Sequence, residues 1–117
     1  MGLAKALIML VRVLGLFAIV LGVMVWGGSP RYLGPHIACG FLVATVIFVL
    51  ALLGFVKRIV IPAILAIVLA VLLPVFGLKQ LPLTFHTVST IQVIHVVAGL
   101  LALGIAEGLH AAMRRAG

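Results

Sequence analysis

Long apolar runs, separated by short segments that hold most of the polar residues, dominate this chain. Four runs cover residues 7–26, 32–56, 59–76 and 90–113. Each is close to the roughly 20 apolar residues that a helix needs to cross a bilayer. None alternates apolar and polar residues as the strands of a membrane barrel do. The pattern predicts an all-α fold: one domain over residues 1–117 that forms an integral membrane four-helix bundle.

Composition strengthens this prediction and removes a competing one. Hydrophobic residues make up 67% of the chain and charged residues only 8%, whereas a soluble domain of this size needs far more polar surface. The net charge of +7 would suggest nucleic acid in a soluble protein. Here the basic residues mostly flank the apolar runs, so we expect a lipid membrane and no nucleic acid as partner. Residues 1–26 lack the features of a cleaved signal peptide, so we expect a retained first span.

The basic residues are distributed unevenly between the two ends of the predicted bundle. Among lysines and arginines, the connections at 27–35 and 77–89 contain only Arg31 and Lys79. Because loops rich in lysine and arginine stay in the cytoplasm, we expect an up-and-down bundle with both termini inside. The basic residues of the opposite end are Lys5, Lys57, Arg58, Arg114 and Arg115.

Two predicted spans share a histidine-glycine motif. His36 is followed by Gly40, and His95 by Gly99, so each pair lies on one helical face. A histidine inside a membrane span is a functional candidate by default. Two of them, each with a glycine one turn deeper, suggest a flat and bulky ligand held between two helices.

The depth of the two histidines supports heme as that ligand. Ser29 and Pro30 are typical of the N-cap and first residue of a helix. If the second helix starts at Pro30 and the fourth near Ser89, His36 and His95 each lie six residues into their helices. Equal depth on two parallel helices is what ligation of one iron from both sides requires, and two neutral imidazoles hold a b-type heme. The sequence predicts one such heme. Covalent c-type attachment is excluded because Cys39 is the only cysteine.

Other residues are candidates for contacts with this heme. Gly22, in a stripe of small residues with Gly15 and Ala18, indicates either a close helix contact or room for a planar ligand. Arg31 and Lys79 lie near the expected outer edge, where they could bind the heme propionates.

Further polar groups are candidates for contacts at the same site. The second nitrogen of each histidine needs a partner, either a backbone carbonyl one turn earlier or Gln92. His86 and the hydroxyls of residues 84–89 lie near the expected outer edge, and Thr84 or Ser89 could cap the fourth helix.

The segments HIACG (36–40) and HVVAG (95–99) resemble the ligand helices of small b-type membrane cytochromes. Bis-histidine four-helix bundles occur in the bacterial cytochrome b family that oxidises superoxide or exchanges electrons with quinone, and in each half of heme A synthase. The resemblance implies a bacterial inner-membrane protein that transfers single electrons to or from quinone or a redox partner protein. Those families usually carry two hemes or additional histidines, whereas this chain has residues for one.

A charged pair is predicted at the cytoplasmic side. Glu107 is the only acidic residue and lies at roughly the depth of Arg12, on a helix that is adjacent in a closed bundle. We expect Arg12 and Glu107 to form a buried ion pair, with His110 one turn from Glu107. The pair either fixes the packing or serves as a proton site.

Two other interpretations stay open at this point. In one, the chain is a cofactor-free helper subunit or a small transporter or channel element, and its histidines form hydrogen bonds between helices. In the other, the histidines and Glu107 line a proton or metal-ion path, although the middles of the spans lack polar residues. The sequence contains no catalytic nucleophile, metal triad or phosphate loop, and it leaves open whether the protein is an enzyme.

Overall fold

The computed structural model describes residues 2–80 and 89–117, and these ranges contain four α-helices. The helices are α1 (Gly2–Trp26), α2 (Leu33–Val56), α3 (Val60–Leu78) and α4 (Thr90–Ala116). Each is long and apolar enough to cross a membrane. The predicted all-α, four-helix fold is confirmed, and each predicted span overlaps one of the helices.

The turn after α1 is closed by backbone hydrogen bonds. The N–H of Gly28 donates to the carbonyl of Val25 at 3.1 Å, and the N–H of Ser29 donates to that of Met24 at 3.0 Å. This is the Schellman pattern, which needs a left-handed residue just after the helix. Gly28 supplies it with a φ of 100°, at little steric cost because glycine has no Cβ atom.

The turn between α2 and α3 uses the same motif with an unfavourable residue. The N–H of Arg58 donates to Phe55 at 2.9 Å and the N–H of Ile59 donates to Gly54 at 2.8 Å. Arg58 occupies the left-handed position, with a φ of 59°. A side chain at this position is sterically strained. The turn is nevertheless very short, so α2 and α3 are antiparallel neighbours.

The start of α2 differs from the prediction. Pro30–Tyr32 form one turn of 3₁₀-helix, Ser29 makes no capping hydrogen bond, and α2 begins only at Leu33. The left-handed turn at Gly28 holds Ser29 back towards α1, so its hydroxyl does not reach the next helix. Pro35 then lies in the first turn of α2, where its missing N–H leaves no hydrogen bond unmade.

The start of α4 agrees with the prediction. Ser89 is the N-cap: its hydroxyl accepts from the N–H of Gln92, and the Gln92 side chain accepts from the N–H of Ser89 in return. Such a capping box satisfies donors that the first turn leaves free. Thr84, the other predicted cap, lies outside the described residues.

The helices follow one another around the bundle, and neighbours run antiparallel. Between α1 and α4, Gly15 packs against Leu103 and Arg12 pairs with Glu107, so rising numbers in one helix meet falling numbers in the other. Helices α2 and α4 therefore run in the same direction across the diagonal. The contact between α1 and α4 is the sparsest of the four neighbouring pairs.

The buried apolar side chains are concentrated at the end of the bundle that holds both termini, called here the terminal end. At the opposite loop end, where α1 joins α2, the space between the helices is a cavity instead. The largest fully buried side chains are Val11, Ile8, Ile47, Leu50, Leu109 and Met113.

Candidate cofactor site

The two histidines of the predicted motif face each other inside the loop end of the bundle. His36 lies in the first turns of α2 and His95 in the second turn of α4. Their ring centres are 6.1 Å apart and their planes are nearly perpendicular, at 82°. The sequence predicted that the histidines lie at equal depth, and their direct contact agrees with this.

His36 is held in one tautomer by a backbone group of α1. Its Nδ1 lies 2.8 Å from the carbonyl oxygen of Ala18. A carbonyl can only accept a hydrogen bond, so Nδ1 must carry the proton. In the neutral ring Nε2 then has a free lone pair, which is the state that binds a metal. The predicted partner was a carbonyl one turn earlier or Gln92, but the partner observed lies on the neighbouring helix.

Glycines on the neighbouring helices make room for both rings. A Cβ atom added at Gly22 of α1 would lie 2.9 Å from Cε1 of His36, and one added at Gly77 of α3 would lie 3.1 Å from Cε1 of His95. The first distance is shorter than real Cβ contacts, and the second is tighter than most of them, so His95 would have to shift slightly. Gly22 therefore packs directly on a histidine ring.

The surroundings of His36 and His95 repeat each other. The carbonyl that His36 contacts belongs to Ala18, four residues before Gly22. Leu73 lies four residues before Gly77, and its carbonyl approaches the His95 ring without reaching hydrogen-bond geometry. Among the described residues, the buried Nδ1 of His95 therefore has no hydrogen-bond partner. The two halves of the chain thus place equivalent groups around each ring.

The histidines line an apolar cavity of about 250 Å³. Gly40 and Gly99 line it as well, and a Cβ atom added at Gly40 would meet no atom within 4 Å. Most exposed side chains of its wall belong to α1 and α4, so the cavity opens to the outside between these helices. They include Ile19, Val23, Trp26, Val96 and Leu100.

The predicted basic contacts lie apart from this cavity. Arg31 and Lys79 are exposed at the loop end and are not part of the cavity wall. The guanidinium of Arg31 donates to the hydroxyl of Tyr32 at 2.9 Å and lies 4.9 Å from the centre of that ring. His86 lies outside the described residues.

Gln92 contributes a further polar atom to the cavity wall. The residue is 97% buried, since only 3% of its surface is exposed, and its side-chain oxygen is used in the capping box. Its Nε2 is buried, and residues 2–80 and 89–117 offer it no hydrogen-bond partner. A bound group with an acceptor atom in the cavity could satisfy this donor.

The residues of the cavity fit a heme better than a bare metal ion. The described residues contain no cluster of three or more His, Cys, Asp or Glu side chains. A metal held between His36 and His95 would thus have two ligands from the described part of the chain, and the macrocycle of a heme would supply the others. With metal–nitrogen bonds of about 2 Å, and about 1.1 Å from nitrogen to ring centre, two imidazoles on opposite sides of one metal have centres roughly 6 Å apart. A heme is larger than the enclosed volume, so it also needs the open side.

At the terminal end, the predicted pairing of Arg12 with Glu107 is confirmed. Two hydrogen bonds of 2.6 and 2.9 Å join the guanidinium to the carboxylate. The pair is not buried as expected, because both side chains lie on the outside of the sparse α1–α4 contact. His110, one turn from Glu107, points inward and is buried, and its Nε2 has no partner.

Comparison with known proteins gives no match to a family model, to a curated protein or to a solved structure. The function is therefore inferred from the cavity and its two histidines.

Proposed function

We propose that this protein is a membrane b-type cytochrome that binds one heme through His36 and His95. The observation that carries the proposal is the 6.1 Å separation of the two ring centres across a cavity. Gly22 and Gly77 support the proposal further, because the His36 and His95 rings pack on them in matching environments.

The axial ligands in this proposal are the Nε2 atoms. Metal-bound histidines normally donate their other N–H to a carbonyl or carboxylate, which fixes the ring. The Nδ1 of His36 already makes this contact with Ala18, and the carbonyl of Leu73 is the equivalent group for His95. A bound heme supplies one-electron redox chemistry at its iron, while the apolar wall excludes water.

In this proposal the bundle spans a bacterial inner membrane with its termini in the cytoplasm. The basic residues favour that orientation. The histidine cavity then lies near the outer face, and one heme there cannot carry electrons across the whole bilayer. Its electrons are exchanged on the outer side, with quinone or an external redox protein, as the resemblance to di-histidine cytochromes b and heme A synthase halves implies. Arg31 and Lys79 remain the candidate partners of the propionates.

The test is the absorption spectrum of protein purified from heme-replete membranes, before and after reduction with dithionite. We expect a Soret band that shifts on reduction, together with split visible bands. His36→Ala and His95→Ala should each abolish the low-spin spectrum because one axial ligand is lost. Cys39→Ala is the matched control, since Cys39 is half-buried on α2 outside the cavity wall and its truncation should leave the spectrum unchanged.

A colourless protein that takes up no added hemin would contradict the proposal. In that case the edge-to-face contact of the two histidines would serve only to pack the helices. The protein would then be a cofactor-free helper subunit or transport element. The helix content of His36→Ala and His95→Ala, measured by circular dichroism, is compared with their colour to separate a ligand role from a packing role. If the wild type is coloured, loss of colour with retained helicity in these variants identifies the histidines as ligands. A colourless wild type whose alanine variants keep their helicity supports the cofactor-free role.

A further inference from the structure

The ion pair between Arg12 and Glu107 has an unusual position for a protein whose helices suit a membrane. The two side chains are 51% and 43% exposed. Arg12 lies ten residues into α1 and Glu107 nine residues before the end of α4. At 1.5 Å per residue, both lie roughly 15 Å along their helices from the terminal end. The pair is therefore within the apolar length of the bundle and faces outward.

Both members of the pair have unused hydrogen-bonding capacity. A guanidinium has five N–H donors and a carboxylate accepts about four hydrogen bonds. The pair uses two of each, and the remaining contact of Arg12 is with the sulfur of Met9 at 3.4 Å, a weak acceptor. Charged groups that face lipid are costly, and membrane proteins satisfy them with other protein groups.

Two glycines lie beside Glu107 on the same outward side of α4. Gly104 and Gly108 are one helical turn apart, in the segment GIAEG, and both are exposed. A Cβ atom added at either one would meet no atom of the described part of the chain within 4 Å. This spacing of glycines on a membrane helix allows a second helix to approach closely.

We propose that a second copy of this chain docks on this surface, defined by Arg12, Gly104, Glu107 and Gly108 and named here the α1/α4 face. The face carries one positive and one negative group at the same depth. A twofold axis along the bundle preserves depth, so Arg12 of each copy meets Glu107 of the other. The face is thus complementary to itself. Glu107 is the only acid in the chain, so no other surface of this protein can offer the same pairing.

The first test replaces the two glycines by a larger residue that prevents close helix approach but leaves the packing within the bundle unchanged. Full-length chains with donor or acceptor fluorophores at the C-terminus are reconstituted in phospholipid vesicles, and energy transfer reports association. We expect transfer for the wild type and at least a tenfold smaller dimer fraction for Gly104→Leu/Gly108→Leu. Gly34→Leu is the matched control, because Gly34 is also exposed with open space, but at the loop end. A monomeric wild type, or a dimer that both leucines leave intact, overturns the proposal.

The second test asks whether the charges meet between copies. Arg12→Glu gives a chain with two acids on the face, and Glu107→Arg gives one with two bases. Each should fail to self-associate, and the two should pair when mixed. Mixing cannot repair an ion pair within one chain, so rescue reports contact between copies. Folded variants that do not pair on mixing would overturn the proposal, and if either variant fails to fold, the leucine test decides. Neither test requires heme, so the result is independent of the proposed function.

Discussion

At the level of single side chains, the near-perpendicular rings of His36 and His95 have a spectroscopic signature. Their planes differ by 82°, and each ring packs on a glycine of a different neighbouring helix. Bis-histidine ferric heme with perpendicular ligand planes gives a highly anisotropic low-spin electron paramagnetic resonance signal, whereas parallel planes give a rhombic one. We expect the anisotropic signal from the oxidised protein. A rhombic signal would show that heme binding reorients at least one ring.

The glycines under the two rings should control ligand position. Gly22→Ala or Gly77→Ala places a methyl group about 3 Å from a ring carbon, and overpacking of this kind typically costs about 1–3 kcal/mol. Because about 1.4 kcal/mol is tenfold in affinity, we expect hemin to bind roughly tenfold to a hundredfold more weakly in titrations followed by the Soret band. Gly34→Ala should bind like the wild type. Unchanged affinity in both ring-side variants would mean that the rings are free to move.

Gly40 offers a complementary test. A Cβ atom there meets no protein atom within 4 Å, yet Gly40 lines the cavity. Gly40→Ala should therefore keep or raise the stability of the heme-free protein, since alanine favours helix by about 0.5–1 kcal/mol. If a heme occupies the cavity beside Gly40, the methyl group should weaken hemin binding about tenfold. Hemin titration and thermal unfolding of the same variant separate the two effects.

The sequence identified some of these residues and missed others for a physical reason. His36, His95 and the Arg12–Glu107 pair could be inferred because polar groups in apolar spans are rare and have to find partners. Gly77 could not be singled out, because its role depends on which helix face meets His95 across α3 and α4. Helical spacing shows which residues share a face, but it does not show which faces meet.

At the level of elements, the turn between α2 and α3 contains a removable strain. Arg58 sits at the left-handed position that Gly28 fills in the equivalent turn after α1. Arg58→Gly should raise the free energy of unfolding by about 1 kcal/mol, since a side chain there costs roughly 1–2 kcal/mol. The measurement is unfolding in detergent, with Arg58→Ala as the control that removes the charge but keeps a Cβ atom. Equal stability of the two variants would show that charge, not backbone strain, matters at this turn.

The helices themselves were predictable from the sequence because apolar length alone determines them. The residues at which the helices begin were harder to predict. Ser89 could be read as a cap because Gln92 follows three residues later and completes the capping box. Ser29 and Pro30 suggested an equally good start for α2, but the tight turn at Gly28 takes precedence and leaves a 3₁₀ turn before Leu33. Local signals compete there, and the sequence does not rank them.

At the level of the whole molecule, four helices with alternating directions place both chain ends on one side. The basic residues predict that this side is cytoplasmic. A fluorescent protein fused to the C-terminus should therefore be bright in bacterial cells, and alkaline phosphatase fused there should be inactive. The same reporters inserted after Gly28 should give the opposite results. A bright fusion at Gly28 would reverse the proposed location of the histidine cavity.

The separation of a packed terminal end from a hollow loop end has a consequence for biogenesis. Large buried side chains such as Ile47 and Leu109 belong to the packed core of the terminal end and do not line the cavity. We therefore expect the chain to insert and assemble before any prosthetic group arrives, with the loop end loaded afterwards through the gap between α1 and α4. Amide hydrogen exchange of protein made without heme should be slow at the terminal end and faster around the cavity, and loading should slow only the latter. The cell could then keep a stock of empty, correctly inserted protein that matures when heme is supplied.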